Sequence, residues 1–186
     1  PIGTMPSNPF PVDGLNVVIT GAGRGIGKRL AIGFAAAGAR VGLVARTAAE
    51  LDLTDLEIKH AGGISHKLAA DVRDFERLNG VVDLMRHRQE RQGKIIALAG
   101  GGAGSPRPNF SAYAASKAAL VRFIECIAEE LRDHNVQANT MSPGGAYTTM
   151  TDEILGAGEN AGWKEIENAE QVRHTGGAKP QKQIDL

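Results

Sequence analysis

Short apolar runs alternate along the chain with longer segments in which apolar residues recur every three or four positions. The short runs are bounded by glycine or polar residues and predict buried strands at 15–20, 41–45, 65–69, 94–99 and 136–141. The longer segments predict helices at 25–37, 48–60, 74–83 and 111–132. Regular alternation of strand and helix is typical of an α/β fold built on a doubly wound parallel sheet.

The two ends of the chain lack this pattern. Residues 1–14 are rich in proline and predict an extended tail, without the apolar stretch of a signal peptide. Residues 151–186 are polar and rich in glycine, so we expect a helical excursion followed by a loose tail, with Trp163 as its one large anchor. The sequence shows no internal repeat and no linker, and residues 1–186 are therefore predicted to form a single domain.

The amino-acid composition limits the cellular compartment and the kinds of binding partner that we expect. The 21 basic and 21 acidic residues give a net charge of zero, which indicates neither a nucleic-acid footprint nor a polybasic membrane patch. No apolar run is long enough to predict a membrane span. The single Cys126 cannot form an internal disulfide and is expected in the core, so we predict a reducing, cytoplasmic location. The histidines show no metal-ligand spacing, and no metal is expected.

The most distinctive local pattern is the glycine-rich turn TGAGRGIG at residues 20–27, which lies at the first predicted strand–helix junction. Gly21, Gly25 and Gly27 allow a sharp turn and let the backbone approach a pyrophosphate without a Cβ in the way. The start of the following helix, which includes Ile26, supplies N–H groups and a positive dipole end. The turn therefore predicts a dinucleotide site, and a glycine-rich connection without a ligand is the alternative.

The end of the second predicted strand bears on which dinucleotide would bind. An acidic residue there would hold the ribose 2′-hydroxyl of NAD(H), whereas this chain has Ala45 followed by Arg46. Together with Arg24 in the turn, two guanidinium groups suit a 2′-phosphate and predict NADP(H) over NAD(H), unless both are merely solvated surface charges. Asp71 and Val72 follow the third strand and are placed to meet the adenine edge, although Asp71 is equally suited to cap a helix.

A second chemical pattern is the pentad YAASK at residues 113–117, in the longest predicted helix. Tyr113 and Lys117 are four positions apart, so their side chains share one face of the helix. A nearby ammonium favours the phenolate and lowers a phenol pKa that is otherwise about 10. Tyr113 is then able to protonate a carbonyl oxygen during hydride transfer, or to deprotonate an alcohol in reverse. A core tyrosine beside a solvated lysine is the alternative.

Taken in this order, the motifs resemble those of the short-chain dehydrogenase/reductase family over about residues 14–150. TGAGRGIG resembles the family's cofactor turn, ADV at 70–72 its adenine contact, and YAASK its active-site pentad. Pro143 and Gly144, followed by Thr148 and Met150, resemble its P-G-x-x-x-T-x-M segment.

This resemblance implies a Rossmann fold, a bound nicotinamide cofactor, a homo-oligomer (dimer or tetramer) and no metal. It implies that the backbone of Pro143 and Gly144 and the hydroxyl of Thr148 contact the nicotinamide carboxamide. The implied reaction interconverts a carbonyl and a secondary alcohol of a small molecule, with Tyr113 as proton donor or acceptor and Lys117 also holding the ribose.

The serine that the family places some thirteen residues before its tyrosine has no counterpart in this chain. Residues 99–102 are Ala-Gly-Gly-Gly, and the candidates Ser105 and Ser111 lie closer to Tyr113, with Ser111 also placed to cap the helix. Two functions therefore stay open, an NADP(H)-dependent oxidoreductase and a catalytically inactive relative that binds the dinucleotide.

A strand, a loop and a helix of the resembled fold also lack a counterpart between Asp83 and Leu84, and the sequence ends before the family's last strand. The strand, loop and helix without a counterpart would amount to about 30 residues or more. Loss of the fourth strand would leave unpaired backbone in the middle of the sheet. We therefore expect that residues are omitted from the sequence here, which predicts a chain break between Asp83 and Leu84. A true deletion would favour the inactive relative.

Overall fold

The structure is a computed structural model that describes residues 12–71, 74, 76, 93–134 and 136–177. Several predicted features lie outside these residues: the tail up to residue 11, Val72, most of the helix predicted from Asp74, the expected break between Asp83 and Leu84, and the end of the chain from 178. The chain divides into two compact units, of which the first holds the described residues 12–76 and the second those from 93 to 177. A single domain over the whole chain stays a prediction.

The first unit is built on three parallel strands, β1 (Asn16–Thr20), β2 (Arg40–Ala45) and β3 (Ile64–Ala69). Helix α1 (Gly25–Ala36) connects β1 to β2, and helix α2 (Ala48–His60) connects β2 to β3. The strands lie in the order β1-β2-β3, in a register that places Thr20 opposite Val44. The carboxyl ends of the three strands therefore lie along one edge of this sheet.

The core of this unit forms where the two helices cover β2. Val41, Leu43 and Val44 of this central strand are inaccessible to solvent. Both helices direct small or aliphatic residues toward the strands, and these are Leu30, Ala31 and Ala35 on α1 and Leu51 and Ile58 on α2. A strand buried on both faces reads as a continuous apolar run, which is why the sequence pattern located it.

The second unit contains β4 (Gly93–Leu98), α3 (Ser111–Glu130), β5 (Val136–Met141), α4 (Thr149–Ala157) and α5 (Trp163–Thr175). Strands β4 and β5 pair in parallel, and α3 is part of the crossover connection between them. Helices α4 and α5 pack together around a small buried cluster of Ile154, Ala161 and Ala169, against which Phe110, Leu155 and Ile166 also pack.

The α/β fold with parallel strands is confirmed, and the predicted bounds of the described strands and helices agree to within two residues. Two expectations about burial are wrong. Cys126 is exposed, because it follows the buried Ile124 by two positions and so points away from the covered face of α3. Trp163 is 77% exposed at the start of α5, and the smaller Ile166 and Ala169 supply the apolar contacts of that helix.

Two further observations concern the helices. Phe110, not Ser111, occupies the N-cap position of α3, and no side chain caps that helix. Within the ranges that the structure describes, no helix combines the length and apolarity needed to cross a membrane.

Candidate functional site

The glycine-rich turn lies between β1 and α1. Its glycines are required because the backbone of the loop and the first turn of α1 approach each other closely. Gly21 and Gly25 have φ of +70° and +58°, a backbone region that residues with a Cβ rarely adopt. A Cβ on Gly27 would lie 2.3 Å from the carbonyl oxygen of Gly21, so the first turn of α1 can approach the loop only with glycine there. Gly25, Ile26 and Gly27 are the first residues of α1, whose early N–H groups lack partners within the helix.

A cavity of about 590 Å³ opens at the carboxyl ends of the three strands of the first unit. Ligands of open α/β sheets bind at this edge. Gly21, Arg24, Arg46 and Asp71, which the sequence predicted as cofactor-binding residues, all line the cavity and are thus brought together. The remaining lining residues come from the same strand ends, the turn and the start of α2, and they are Thr20, Gly23, Ala45, Thr47, Glu50 and Ala70.

Charged groups of both signs line this cavity. Arg46 is exposed directly after β2, and in the described part of the chain it makes no ion pair. Arg24 is largely exposed and lies 4.0 Å from Glu50, measured between Nη1 and Oε1. At that distance and exposure the pair adds little stability, which leaves Arg24 able to bind another anion. Glu50, which the sequence reasoning missed, is an acidic group that lines the same cavity as the two cations.

Thr54 is a second residue that the sequence reasoning missed, and it ties α2 to the glycine-rich turn. Its side chain is fully buried, and its hydroxyl lies 3.1 Å from the carbonyl oxygen of Ala22 and 3.4 Å from that of Gly23. The Ala22 N–H in turn donates to the carbonyl oxygen of Val44 at 3.2 Å. A signal was present in the sequence, because Thr54 lies three residues after the buried Leu51 and so belongs to the covered stripe of α2.

In the second unit, α3 carries Tyr113 and Lys117 on one face, as predicted. The Lys117 ammonium donates to the carbonyl oxygen of Leu98, the last residue of β4, at 2.9 Å. The same nitrogen lies 5.8 Å from the centroid of the Tyr113 ring, and both side chains are half-buried. The end of β4 thus holds a cation beside the phenol, which is the electrostatic arrangement that the pentad predicts.

Gly100 lies thirteen residues before Tyr113, at the position of the missing serine. A Cβ on Gly100 would come within 2.6 Å of the Tyr113 hydroxyl oxygen, so the phenol fills the space that a side chain there would need. The alternative hydroxyls are not buried at the site, because Ser105 and Ser111 are both exposed.

The residues predicted to contact a nicotinamide carboxamide all lie in the segment that follows β5. Gly144 has a φ of +74°, and Pro143 precedes it. Thr148 is the N-cap residue of α4, and its N–H donates to the Thr151 hydroxyl at 3.1 Å. Across the described portion of the molecule, no group of three or more metal-ligating side chains is present.

The chain is similar in sequence to a known protein family and to several of its members. The chain matches the family model for short chain dehydrogenases over residues 15–90 and 75–157. It is 27% identical to a 2,3-dihydro-2,3-dihydroxybenzoate dehydrogenase of Bacillus subtilis over 211 positions, which cover 87% of this chain and 78% of the relative. It is 29% identical to an 11-beta-hydroxysteroid dehydrogenase-like protein of Arabidopsis thaliana, over 73% of this chain and 60% of that relative.

Solved structures share the fold. An L-sorbose reductase from Gluconobacter frateurii, complexed with NADPH and L-sorbose, gives a TM-score of 0.74 at 23% identity and covers 94% of this chain and 88% of its own. A 7 alpha-hydroxysteroid dehydrogenase complexed with NADH gives a TM-score of 0.70 at 22% identity, over 82% of this chain and 83% of its own. These likenesses establish a Rossmann fold, and the family model accounts for most of the chain. The chain therefore belongs to the short chain dehydrogenase family of oxidoreductases.

Proposed function

We propose that this chain is an NADP(H)-dependent oxidoreductase that interconverts a carbonyl and a secondary alcohol, with Tyr113 as the proton donor and acceptor. The observation that carries the proposal is the Lys117 ammonium, held by the Leu98 carbonyl at 2.9 Å and 5.8 Å from the Tyr113 ring centroid. A lysine with a purely solvated role would not be bonded to the end of a strand beside a half-buried phenol.

The backbone that surrounds the cavity of the first unit has a shape that fits a dinucleotide. The close approach of Gly27 to Gly21 leaves no room for a Cβ, and this is the geometry in which a turn cradles a pyrophosphate. Gly21, Gly25, Ile26 and Gly27 would hold the pyrophosphate at the start of α1. Bound in this way, the cofactor would supply or accept a hydride at its nicotinamide.

The preference for NADP(H) is argued from charge at the same cavity. Arg24 and Arg46 line it, and no acidic residue follows β2 at the position that would repel a 2′-phosphate. Related structures bind either form, since one neighbour holds NADPH and another NADH. We propose Arg46 as the principal 2′-phosphate ligand, because it makes no ion pair within the described residues, and Asp71 with Val72 as the adenine contact.

Tyr113 carries the proton in the proposed reaction. Its O–H bond breaks as the proton passes to the substrate oxygen during reduction, and the bond re-forms when an alcohol is oxidised. Lys117 stabilises the negative charge left on the phenol oxygen and is also proposed to hold the cofactor ribose. Pro143, Gly144 and Thr148 are proposed to position the nicotinamide through its carboxamide.

A second function, dinucleotide binding without turnover, is favoured by one observation. Gly100 replaces the serine expected thirteen residues before Tyr113, so that hydroxyl is not available to align a substrate oxygen. NADPH binding without consumption by any carbonyl would support this function over the first.

A cytoplasmic homo-oligomer, dimer or tetramer, is also proposed. It rests on the single cysteine and on the family, and size-exclusion chromatography with light scattering tests the oligomeric state.

The proposed function is tested by NADPH oxidation against a panel of aldehydes and ketones, with Tyr147→Phe as the matched control because the chain has only two tyrosines. Tyr113→Phe should lower kcat by about 100-fold or more while the Kd for NADPH stays within about twofold. Lys117→Met should lower kcat and weaken cofactor binding. Substantial turnover by Tyr113→Phe would place the proton donor elsewhere.

A further inference from the structure

We propose that Arg107 lies over the Tyr113 ring as a second cation that stabilises the phenolate, and that Glu165 of α5 is the residue that positions it. The inference rests on the proposed function, in which Tyr113 gives up and regains a proton. It adds a residue, and a link between α5 and the phenol, that neither the pentad nor the glycine-rich turn predicts.

The first step concerns the space around the phenol. Because a Cβ on Gly100 would lie 2.6 Å from the Tyr113 hydroxyl oxygen and 3.5 Å from Cζ, the ring leans over the backbone where the serine would stand. A side chain at position 100 would therefore have to displace the phenol. Any polar partner for the hydroxyl must come from another element of the unit.

Arg107 places a cation against the Tyr113 ring. It lies in the loop between β4 and α3, and its guanidinium carbon is 4.9 Å from the Tyr113 ring centroid and 4.4 Å from that of Phe110. The loop can close over α3 because Gly102, at φ +98°, leaves no Cβ against Ala114. Only 16% of the Arg107 side chain is exposed, so the charge lies between two rings and not in bulk water.

Glu165 holds the guanidinium in that place. Its two carboxylate oxygens accept hydrogen bonds from Arg107 Nε at 2.8 Å and from Nη2 at 2.6 Å. Only 15% of the Glu165 side chain is exposed, and a bidentate pair of this kind restricts the plane of the guanidinium. Helix α5 is itself anchored, because Ile166 of its first turns packs with Phe110 on the cluster between α4 and α5.

The titration behaviour agrees with this geometry. The hydrogen bond to Glu165 raises the pKa of the Arg107 guanidinium above its usual value, and the phenol oxygen of Tyr113 contributes in the same direction. The hydrogen bond from Arg107 lowers the pKa of the Glu165 carboxyl in turn. The guanidinium uses two of its five N–H donors for Glu165.

The chemical consequence concerns the charge that proton transfer leaves behind. When the Tyr113 O–H bond breaks and the proton forms a new bond to the substrate oxygen, one negative charge stays on the phenol oxygen. Among the described residues of this unit, the charged groups recorded in contact with Tyr113 are Arg107 from the loop and Lys117 from α3, and Glu165 meets the phenol only through Arg107. Arg107 therefore supplies a second cation, on a different element from Lys117.

The test that does not depend on turnover is the ultraviolet titration of tyrosinate in a Tyr147→Phe background, which leaves Tyr113 as the only tyrosine. Without this change, the absorbance of Tyr147, whose pKa is raised by its hydrogen bond to Asp152, would add to the tyrosinate signal. Arg107→Met should move the Tyr113 titration midpoint upward, because it removes a cation beside the phenolate. The control Arg122→Met removes an exposed arginine of α3 that pairs with Glu125, and it should leave the midpoint unchanged.

The second measurement is the pH profile of kcat for the same variants. Arg107→Met should lower kcat about tenfold and shift the basic limb of the profile, with the KM for NADPH nearly unchanged. Arg107→Lys should have a kcat between those of wild type and Arg107→Met, because it keeps the positive charge but lacks the planar guanidinium. The kcat of Glu165→Gln should also lie between these two values. Thermal unfolding confirms that each variant is folded, and Arg107→Gln serves as the uncharged variant if Arg107→Met does not fold.

An unchanged titration midpoint in folded Arg107→Met, or in folded Arg107→Gln, would overturn the inference. If instead the midpoint shifts while the wild-type protein turns over no substrate, the proposed function fails and the contact between Arg107 and Tyr113 stands.

Discussion

Arg46 is the single residue on which the cofactor preference mainly depends. It is exposed directly after β2 and lines the cavity at the carboxyl ends of the strands. Arg46→Asp would replace a 2′-phosphate ligand by a group that accepts a ribose 2′-hydroxyl and repels the phosphate. We expect the preference for NADPH over NADH to reverse, as measured by the Kd for each cofactor.

The matched control for this prediction is Arg122→Asp, which makes the same change of charge on the exposed side of α3. It should alter neither Kd beyond about twofold, since Arg122 is exposed and is not among the residues that line the cavity. A wild-type preference for NADH of tenfold or more, about 1.4 kcal/mol, would contradict the assignment of Arg46.

The residue scale also shows what a sequence can and cannot reveal about a site. Gly21, Arg24, Arg46 and Asp71 were identifiable because turn chemistry and strand ends are local features, and the structure brings all four to one cavity. The contact between Arg107 and Glu165 joins positions 58 apart, and no local spacing predicts which carboxylate will meet which guanidinium.

At the scale of elements, the apolar pattern located the described strands and helices, while burial of particular side chains depended on what covers each face. Cys126 illustrates the difference, because the helix was predicted correctly but only Ile124 is fully covered in it. Periodicity identifies an amphipathic element, whereas the neighbours that bury its apolar stripe come from distant parts of the chain. The same reasoning explains why Trp163, an expected anchor, is exposed.

A buried carboxylate links two of these elements. Asp55 of α2 is 5% exposed, and it accepts hydrogen bonds from the Ser65 hydroxyl of β3 at 2.7 Å and from Lys59 at 2.9 Å. Burial acts to raise the pKa of this carboxyl, but the hydrogen bonds from Lys59 and Ser65 and the nearby lysine charges outweigh it. The pKa of Asp55 therefore lies below its usual value of 3.8.

This arrangement predicts how stability depends on pH. Because the pKa of Asp55 is lower in the folded state, its contribution is complete above about pH 4 and is lost as the pH falls through the folded-state value. Asp55→Asn should lower the free energy of unfolding by about 1–3 kcal/mol at neutral pH, and the difference from wild type should shrink in acid. Denaturant unfolding measured at several pH values tests both parts.

Asp52→Asn is the control for Asp55→Asn, since Asp52 lies on the same helix and pairs with Lys67 at 2.5 Å, but its side chain is 58% exposed. An exposed ion pair contributes little, so the loss should stay below about 1 kcal/mol. Equal losses for the two variants would show that burial of Asp55 does not set its contribution.

At the scale of the whole molecule, both units show apolar strand surface that parallel sheets normally cover. Among the described residues of the first unit, β1 is an edge strand of its sheet, and Val18 on it is 41% exposed. In the second, the sheet has only β4 and β5 among the described residues, and Ile95 and Ile96 are 38% and 48% exposed. Parallel strands are ordinarily buried on both faces, so the described residues of each unit form an incomplete parallel sheet.

The comparison with relatives agrees with an internal omission from the sequence. The alignment with the Bacillus subtilis dehydrogenase extends over 211 positions, more than the 186 residues of this chain, so it includes positions of the relative that this chain lacks. The two matches to the family model, over 15–90 and 75–157, overlap around the same region. We therefore predict that the natural protein carries an additional strand, loop and helix between Asp83 and Leu84.

Intact mass spectrometry of the natural protein and sequencing of its gene across this point test the prediction. The added segment should be about 30 residues or more, so the mass should exceed the 19.5 kDa of the present sequence by at least roughly 3 kDa. The chain of 186 residues, expressed as it stands, should aggregate more readily than the natural protein, because unpaired strand edges are templates for association. Restoring the segment should raise the free energy of unfolding and tighten NADPH binding. A natural protein that joins Asp83 directly to Leu84 and unfolds cooperatively would contradict this, and it would favour the inactive dinucleotide-binding relative.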